Sequence, residues 1–521
     1  MKNDAPVNLS TSQVISDTFF VSAARIGTTL LKPIRGIILA RLLGPELYGV
    51  LSIPLPYVQI MTLLANIGFN TSIVKLAPDY LQKGRSDLAR MIFRSTTVMT
   101  VLLSLLWTAL LLILSEWIAV DVSHRPDAVG PIRLFALIIP FMSLNAYYAA
   151  AFLAMQKGKL RAGLSVVYGL VDIVLPIIAI FWKKDVTLVL GGFLAGEIFG
   201  TAIFAIYFQK RAIRGLAARA GSLVRGMREV VSFGFLFFFA TLGWNLISSV
   251  DRIMVKYYLP AEQLAFYSMA ALIITALNII SATAGTALIP SLTAARTMGD
   301  KALFRKQIWN MTRLSLMAVV PVAGILYALA FDIFNVVLPK YTDSAPVLRI
   351  LIFVGFIDIL CRVAWASLVA YGRGGKAAFA YILAAVVNVA FNALLIPRMG
   401  IEGAALASLL SFIVLAAVLQ VMMSSVAGVR TDPAVLIHPT ILSLVFPALA
   451  LLLGRLGSLE RSVIVTIAGG VIYIALAAAT GLIRREDLDK TRSILDARPP
   501  GMMRGLGLFT LSSIARITRG K

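Results

Sequence analysis

The chain has 521 residues, of which 59% are hydrophobic and only 14% are charged, and its formal net charge is +23. Soluble domains carry about 25% charged residues, so this composition excludes an ordinary soluble domain and predicts an integral membrane protein. One cysteine and two histidines allow no intrachain disulfide and no His/Cys metal cluster, and we expect neither a cofactor nor a metal.

Apolar runs of about 20 residues recur along the chain, and each is long enough to cross a hydrocarbon core about 30 Å thick as a helix. The pattern predicts an all-α integral membrane protein with about fourteen transmembrane helices. Their predicted bounds are 14–40, 47–72, 91–118, 131–155, 161–182, 187–208, 231–256, 264–293, 309–331, 347–370, 376–396, 402–424, 435–454 and 462–483.

Basic residues lie mostly in alternate connections between the predicted helices. The connections after the second, fourth, sixth and eighth helices are rich in lysine and arginine, whereas the intervening ones hold few charges or mix both signs. Because cytoplasmic loops are enriched in lysine and arginine, we predict a multi-pass protein of the cytoplasmic (inner) membrane with both termini in the cytoplasm. This topology accounts for the net charge, and we expect no nucleic-acid partner.

The two halves of the chain share a spacing that indicates an internal repeat. A shift of 216 residues aligns the fifth predicted helix with the eleventh, where Asp172 meets Asn388, and the first with the seventh, where Arg35 meets Asp251. Many transporters are built from repeated bundles. We therefore predict two pseudo-repeated six-helix bundles followed by two further helices.

The repeat predicts the domain organisation. The linker between the lobes carries apolar residues at helical spacing, which fits either a helix on the inner membrane surface or a plain solvated connection. The predicted domains are an N-terminal six-helix lobe (1–208), a basic cytoplasmic linker (209–230), a C-terminal six-helix lobe (231–424), two extra transmembrane helices (425–483) and a basic cytoplasmic tail (484–521).

The first predicted helix carries cations where hydrocarbon is expected. At about 100° per residue, Arg25 and Lys32 differ by about 20° in direction, and Arg35 lies about 60° further round, so all three share one face. A charge near the bilayer centre costs roughly 2.5 to 3.5 kcal/mol. The stripe predicts a wet cavity that receives an anion, unless the cations pair with acids of other helices and lock the bundle.

Further charges lie inside other predicted helices. Asp358 and Arg362 are four residues apart, a spacing that favours an ion pair on a helix. For each of these groups, pairing within the bundle and a role in transport remain alternatives. The full set is Asp172, Glu197, Asp251, Arg252, Asp358 and Arg362.

The motifs of common enzymes do not occur in this sequence. It has no phosphate-binding GxxxxGK[ST] loop, no nucleophile elbow and no HExxH zinc motif. The predicted connections are also too short for a catalytic domain. We therefore expect a transporter rather than an enzyme.

Two stretches resemble a known family. The stretch "ILARLLGPELYGVLSIPLPYVQIMTLLANIGF" (38–69) is similar to the opening of Wzx-type polysaccharide flippases of the multidrug/oligosaccharidyl-lipid/polysaccharide (MOP) exporter superfamily. The stretch "SSVDRIMVKYYLPAEQLAFYSMA" (248–270) resembles the start of their second half. The resemblance covers the first twelve predicted helices and implies a fold of the MOP/MATE type.

The resemblance also implies a function. A protein of this family would flip a polyprenyl-diphosphate-linked oligosaccharide from the cytoplasmic to the outer leaflet for lipopolysaccharide or exopolysaccharide biosynthesis. Its partners would be this lipid-linked substrate, membrane lipids and glycan-assembly proteins. The predicted headgroup contacts are Arg25, Lys32 and Arg35, followed by Arg252 and Arg362. The acids Asp172, Asp251, Asp358 and Glu197 would set the potential of the cavity or couple transport to an ion gradient.

Two other functions remain open at this point. A cation-coupled multidrug or small-molecule exporter of the same fold would be expected to prefer an acidic, aromatic-lined cavity, which the basic first helix does not favour. A membrane glycan polymerase or ligase would be expected to need a sizeable outer loop with catalytic polar groups, and none is predicted.

Overall fold

The computed structural model describes residues 27–28, 31–210 and 222–496. Every regular element in these residues is helical, which confirms the all-α prediction. Short turns of π or 3-10 helix lie at Ile118–Val122, Pro126–Ala128 and Pro339–Tyr341, among others. The α-helices are α1 (31–43), α2 (Pro45–Ser52), α3 (Pro54–Asn66), α4 (Phe69–Gln82), α5 (Ser86–Trp117), α6 (Val129–Ala136), α7 (Ile139–Ala154), α8 (Gly158–Trp182), α9 (Val186–Phe208), α10 (Leu223–Tyr258), α11 (Ala261–Thr297), α12 (Lys301–Ala328), α13 (Ala330–Val337), α14 (Ser344–Ala370), α15 (Gly374–Ala427), α16 (Pro433–Ser443), α17 (Val445–Leu452), α18 (Ser458–Ala479) and α19 (Arg485–Asp496).

Many of these helices have the length and hydropathy of membrane spans. Within the described residues, nine helical stretches are long and apolar enough to cross a membrane, and a tenth is added if the bent helix α10 counts as one span. The chain is thus a multi-pass membrane protein. The count of fourteen for the whole chain stays a prediction.

Glycine and proline determine where several helices break. Gly44 has a φ of 82° between α1 and α2, and Gly68 has a φ of 73° between α3 and α4. This left-handed region is readily open to glycine because glycine has no Cβ. Pro45 then begins α2, at a position where its missing N–H removes no helical hydrogen bond. Gly400, with a φ of 60°, bends α15 in the same way.

The described residues form two compact units. The N-terminal unit contains the described residues within 27–276 and 372–422, and the C-terminal unit contains 277–371 and 423–496. The two units are defined by how densely their residues contact one another. The predicted lobes 1–208 and 231–424 are instead defined by a repeat in the sequence, so the units do not test them. The two lobes therefore stay a prediction, and the predicted linker at 209–230 lies partly outside the described residues.

Each unit has its own aromatic core. In the N-terminal unit, Phe208 of α9 lies edge-on to Phe93 of α5 at 5.5 Å and to Phe152 of α7 at 5.8 Å between ring centroids. In the C-terminal unit, the fully buried Phe446 stacks on Tyr473 with centroids 6.0 Å apart. These rings join α5, α7 and α9 in one unit and α17 and α18 in the other.

A backbone contact between two glycines joins α10 to the start of α4. A Cβ built on Gly234 would lie 2.7 Å from the carbonyl oxygen of Gly68, and one on Gly68 would lie 2.1 Å from that of Gly234. Small residues allow such close approach between membrane helices. The hydroxyl of Ser72 in α4 also donates to the Val230 carbonyl of α10 at 2.7 Å. A buried hydrogen bond thus joins the same two helices.

We expect Gly234→Ala to destabilise the protein by about 1 to 3 kcal/mol, because the added methyl forces the two backbones apart. The measurement is the free energy of unfolding of the purified protein in micelles. Gly191→Ala is the matched control, since a Cβ there meets nothing within 4 Å. Equal stability of the two variants would contradict the glycine contact.

Candidate functional site

Arg35 of α1 pairs with Asp172 of α8 in the N-terminal unit. Its Nη1 atom forms an ion pair and a hydrogen bond with Asp172 Oδ2, and it also donates to the Asp172 carbonyl oxygen at 3.3 Å. The guanidinium carbon lies 4.2 Å from the ring centroid of Phe193 in α9, a cation–π distance. With side-chain exposures of 17% and 7%, both charges are largely withdrawn from solvent.

Glycines on α9 make this arrangement possible. A Cβ on Gly192 would lie 2.8 Å from the backbone of Pro176, and one on Gly196 would lie 3.3 Å from the Cα atom of Asp172. Helices α8 and α9 therefore approach each other at backbone distance. This approach makes Asp172 and Phe193 neighbours around Arg35.

Glu197, a second acid at this place, is held by neutral groups. It accepts hydrogen bonds from the side-chain amide of Asn145 in α7 and from the hydroxyl of Tyr168 in α8. The two bonds occupy different carboxylate oxygens, and Glu197 is 7% exposed. Lys32 and Asp172 both lie within electrostatic range of this carboxyl group. The acid thus joins three helices and interacts with the cationic stripe of α1.

Lys32 differs from Arg35 in its environment. Its side chain is exposed, and it forms no ion pair with the residues that the structure describes. Arg25, the third member of the predicted stripe, lies outside the described residues, so its position stays a prediction. Of the two described cations of the stripe, Arg35 is thus paired with an acid, and Lys32 is exposed.

Arg252 of α10 belongs to the same network as Arg35. The buried hydroxyl of Tyr48 lies within electrostatic range of both guanidinium groups. Arg252 Nη2 donates to Gln59 Oε1 at 2.9 Å and to the Ser248 carbonyl oxygen at 3.1 Å. Its buried Nε has no hydrogen-bond partner among the described residues, which leaves one donor of this cation unsatisfied.

Asp251, next to Arg252, lies in a buried cluster of oxygen and amide groups. It is 2% exposed and accepts hydrogen bonds from Tyr267 and Asn392 at 2.7 Å each, and from the hydroxyl of Ser408. Asn392 also donates to Asn388 Oδ1 at 3.1 Å. The nearby positive charge is that of Arg252, which lies within electrostatic range. A carboxylate is thus surrounded by neutral groups able to offer oxygen ligands.

The offset of 216 residues relates these two acidic centres. Under that shift Arg35 corresponds to Asp251 and Asp172 to Asn388. In the structure, Arg35 binds Asp172, and Asp251 lies in the cluster of α15 residues that includes Asn388. Under the predicted repeat, the ion pair of Arg35 with Asp172 would correspond to the contact of the Asp251 carboxylate with amide side chains of α15.

The remaining predicted pair lies in the C-terminal unit. Arg362 Nε binds Asp358 Oδ2 at 2.7 Å, as the spacing of four residues indicates. Asp358 is fully buried, and its second oxygen has no hydrogen-bond partner among the described residues. This pair therefore belongs to a different compact unit from the network around Arg35.

The neutral partners of the acids were not predicted from the sequence. A single hydroxyl or amide group lowers the hydropathy of a 20-residue run only slightly, so these residues do not stand out in a membrane helix. One signal was available, because Asn388 and Asn392 lie four residues apart on one face of an otherwise apolar helix. The missed residues are Tyr48, Gln59, Asn145, Tyr168, Tyr267, Asn392 and Ser408.

The chain matches a protein family and curated relatives over much of its length. Residues 14–298 match the family described as polysaccharide biosynthesis protein. A putative O-antigen transporter of Shigella flexneri is 24% identical over 413 residues, which cover 73% of this chain and 91% of that protein. An uncharacterised membrane protein of Methanocaldococcus jannaschii is 20% identical over 379 residues, covering 69% of this chain and 74% of that protein.

Solved structures with a similar fold include two types of transporter. The lipid II flippase MurJ in an inward closed conformation gives a TM-score of 0.72 at 14% identity, over 89% of this chain and 99% of MurJ. An inward-facing multidrug resistance MATE family transporter of the MOP superfamily gives 0.66 at 14% identity, over 77% of this chain and 96% of that one. These likenesses confirm the predicted MOP/MATE fold.

We expect Arg35→Ala and Asp172→Ala each to lower the free energy of unfolding, because each leaves a partly buried charge without its partner. The double variant should lose less than the sum of the two, with a coupling energy of about 1 to 3 kcal/mol in a double-mutant cycle. Lys32→Ala, at an exposed position, should change stability by at most about 0.5 kcal/mol. Strictly additive effects at Arg35 and Asp172 would show that the pair does not stabilise the fold.

Proposed function

We propose, since the chain belongs to the polysaccharide biosynthesis protein family and is a flippase-type membrane transporter, that it flips a polyprenyl-diphosphate-linked oligosaccharide. The substrate moves from the cytoplasmic to the outer leaflet of the cytoplasmic membrane and supplies surface polysaccharide synthesis. Both termini face the cytoplasm in this proposal, as the distribution of basic residues indicates.

The observation that carries the proposal is the cationic network of the N-terminal unit. Three cations, Lys32, Arg35 and Arg252, lie on or beside apolar helices, and Lys32 is exposed and forms no ion pair with the described residues. A diphosphate that crosses hydrocarbon loses its hydration, which is very costly for an anion. Charge-assisted hydrogen bonds from lysine and arginine replace that hydration.

The cations have different roles in this proposal. Lys32 makes the first contact with the diphosphate because it is exposed. Arg35 is held by Asp172 and Phe193. It contributes to the positive electrostatic potential of the site. As the substrate passes, Arg35 exchanges its carboxylate partner for the phosphate. Arg252, with an unsatisfied Nε, is a further donor. Arg25 would extend the stripe of α1.

A multidrug exporter of the same fold remains the competing function, since the fold alone is shared with the MATE family. The site favours an anionic substrate over a cationic drug. Within the stripe, the exposed charge is the ammonium group of Lys32, whereas the acids Asp172, Glu197 and Asp251 are already bound by partners within the unit. The experiment at Lys32 separates the two functions.

The buried cluster at Asp251 is proposed to couple transport to a cation gradient. A carboxylate withdrawn from water is stabilised by an opposite charge or by a proton. The hydroxyl groups of Tyr267 and Ser408 and the side-chain carbonyls of Asn388 and Asn392 surround this carboxylate with further oxygens. A sodium ion or a proton binding here would change the charge of α10 beside Arg252. The gradient would thereby act on the substrate site.

Lys32→Ala should slow flipping of the lipid-linked oligosaccharide about ten- to hundred-fold, because one charge-assisted contact contributes on the order of 1.5 to 3 kcal/mol. Lys32→Arg should retain most of the rate, and Lys32→Glu should abolish it. The measurement is the rate at which substrate becomes accessible in the outer leaflet of proteoliposomes containing equal amounts of each variant.

Lys184→Ala is the matched control for this experiment, since Lys184 is an exposed lysine in the connection between α8 and α9. It should flip at the rate of the unmodified protein. A normal rate for Lys32→Ala, or a loss caused only by lower abundance, would remove the assigned role of Lys32. Faster export of a cationic drug by Lys32→Glu than by the unmodified protein would favour the exporter.

Asp251→Asn should remove the stimulation of flipping by a cation gradient while the protein keeps its normal abundance. Asparagine retains an oxygen that can accept the hydrogen bonds of Tyr267 and Ser408, but it loses the negative charge. We expect the stimulation to fall at least about tenfold, as for loss of a charged contact. The measurement compares sodium and proton gradients separately in proteoliposomes, and full stimulation of the variant by either gradient would contradict the coupling role.

A further inference from the structure

We propose that a basic cavity in the C-terminal unit binds the phosphate-bearing headgroup of an anionic phospholipid. The cavity has a volume of about 610 Å³ and lies between the start of α12 and the segment that joins α18 to α19. The proposal does not depend on which substrate is transported. Its polar and aromatic lining residues are Lys301, Arg305, Lys306, Trp309, Asn310 and Arg484.

The described residues place no acid in the lining of this cavity. Four of its lining residues are cations and none is acidic among the described residues. Lys301, Arg305 and Lys306 are exposed, and none of them forms an ion pair with a residue in the described ranges. A concave surface with this charge concentrates anions from solution or from the membrane surface.

The neighbouring acids are already engaged. Asp300 caps α12 by accepting the backbone N–H of Leu303 at 2.8 Å. Asp487 of α19 pairs with Arg313 at 2.7 Å and accepts the backbone N–H of Arg484 at 3.0 Å. Because the helix cap and the ion pair with Arg313 occupy these two carboxylates, neither forms an ion pair with a lining cation.

Trp309 gives the cavity a fixed wall. The guanidinium carbon of Arg484 lies 4.1 Å from the centroid of the indole, and that of Arg313 lies 5.2 Å from it. Arg313 is itself 3% exposed and tied to Asp487. A site whose cation is already held against a ring loses less conformational freedom when the ligand binds.

The location of the cavity fits a lipid headgroup better than a soluble anion. Helices α12 and α18 are both long and apolar enough to cross a membrane, and the cavity lies at the first turns of α12 and just beyond the end of α18. Phospholipid phosphates and interfacial tryptophans occupy this depth. Further along the two helices, away from the cavity, α12 exposes Leu314 and α18 exposes Val471 and Ile474. These apolar side chains suit contact with acyl chains.

The topology predicted from basic residues places this cavity on the cytoplasmic side, where anionic lipids give a negative surface potential. Each lysine or arginine near such a surface strengthens binding by a factor of about five. Removal of two lining charges is therefore expected to weaken binding on the order of thirtyfold.

The test uses the full-length protein purified in detergent, with bound lipid measured by native mass spectrometry. The probes are cardiolipin, phosphatidylcholine and inorganic diphosphate, each titrated separately. The test variant is Arg305→Gln with Lys306→Gln. The matched control is Arg373→Gln with Lys376→Gln, which removes two exposed charges just before and within the first turn of α15. Arg305→Lys with Lys306→Arg keeps the charge and changes only the side chains.

We expect cardiolipin to bind the unmodified protein, the control and the charge-preserving variant much more tightly than phosphatidylcholine does. Cardiolipin affinity should fall about thirtyfold in the test variant alone. Unchanged cardiolipin affinity in the test variant, or an equal fall in the control, would overturn the site. If inorganic diphosphate binds as tightly as cardiolipin, the ligand of the cavity is not a lipid. If the test variant has a lower unfolding temperature but unchanged lipid affinity, these cations stabilise the fold and do not bind lipid.

Discussion

A charged side chain in an apolar helix is costly unless it is paired, hydrated or in contact with an anion, and this constraint organises the N-terminal unit. Arg35 satisfies it through Asp172 and the Phe193 ring. Glu197 satisfies it through Asn145 and Tyr168. The ion pair joins α1 to α8 and the hydrogen bonds join α7, α8 and α9, so neutralising the charges also holds the helices together. Lys32, the other described cation of the stripe, is exposed and forms no ion pair with the described residues.

The close contacts between helices depend on residues that have little or no side chain. Gly192 and Gly196 bring α9 against α8, and Gly68 meets Gly234 where α10 approaches α4. In a bilayer the lipid tails are as apolar as the helix surfaces, so helix association depends on close packing and on hydrogen bonds between helices rather than on the hydrophobic effect. The same glycines that allow the backbones to approach therefore also position the polar side chains between them.

The fold by itself does not decide what is transported. Similar folds belong to the lipid II flippase MurJ and to a multidrug resistance transporter of the MATE family, so the substrate has to be argued from the site. Here the sign of the accessible charge is informative. The acids Asp172, Glu197 and Asp251 are bound by partners within the unit, whereas Lys32 forms no ion pair with the described residues. The cavity lined by Arg305 and Arg484 in the C-terminal unit shows the same excess of cations over acids.

Hydropathy and local spacing by themselves determined several features of this protein. Apolar runs of membrane length predicted an all-α membrane protein, and the superfamily came from the resemblance of stretch 38–69 to known flippases. The pair of Asp358 and Arg362 was also predictable, because residues four apart on a helix face each other whatever surrounds them. The tertiary structure alone decided that Arg35 binds Asp172 and that Asp251 is enclosed by Asn392 and Ser408. Those partners lie more than a hundred residues apart, and their meeting depends on which helices pack together and how closely, which no local pattern records.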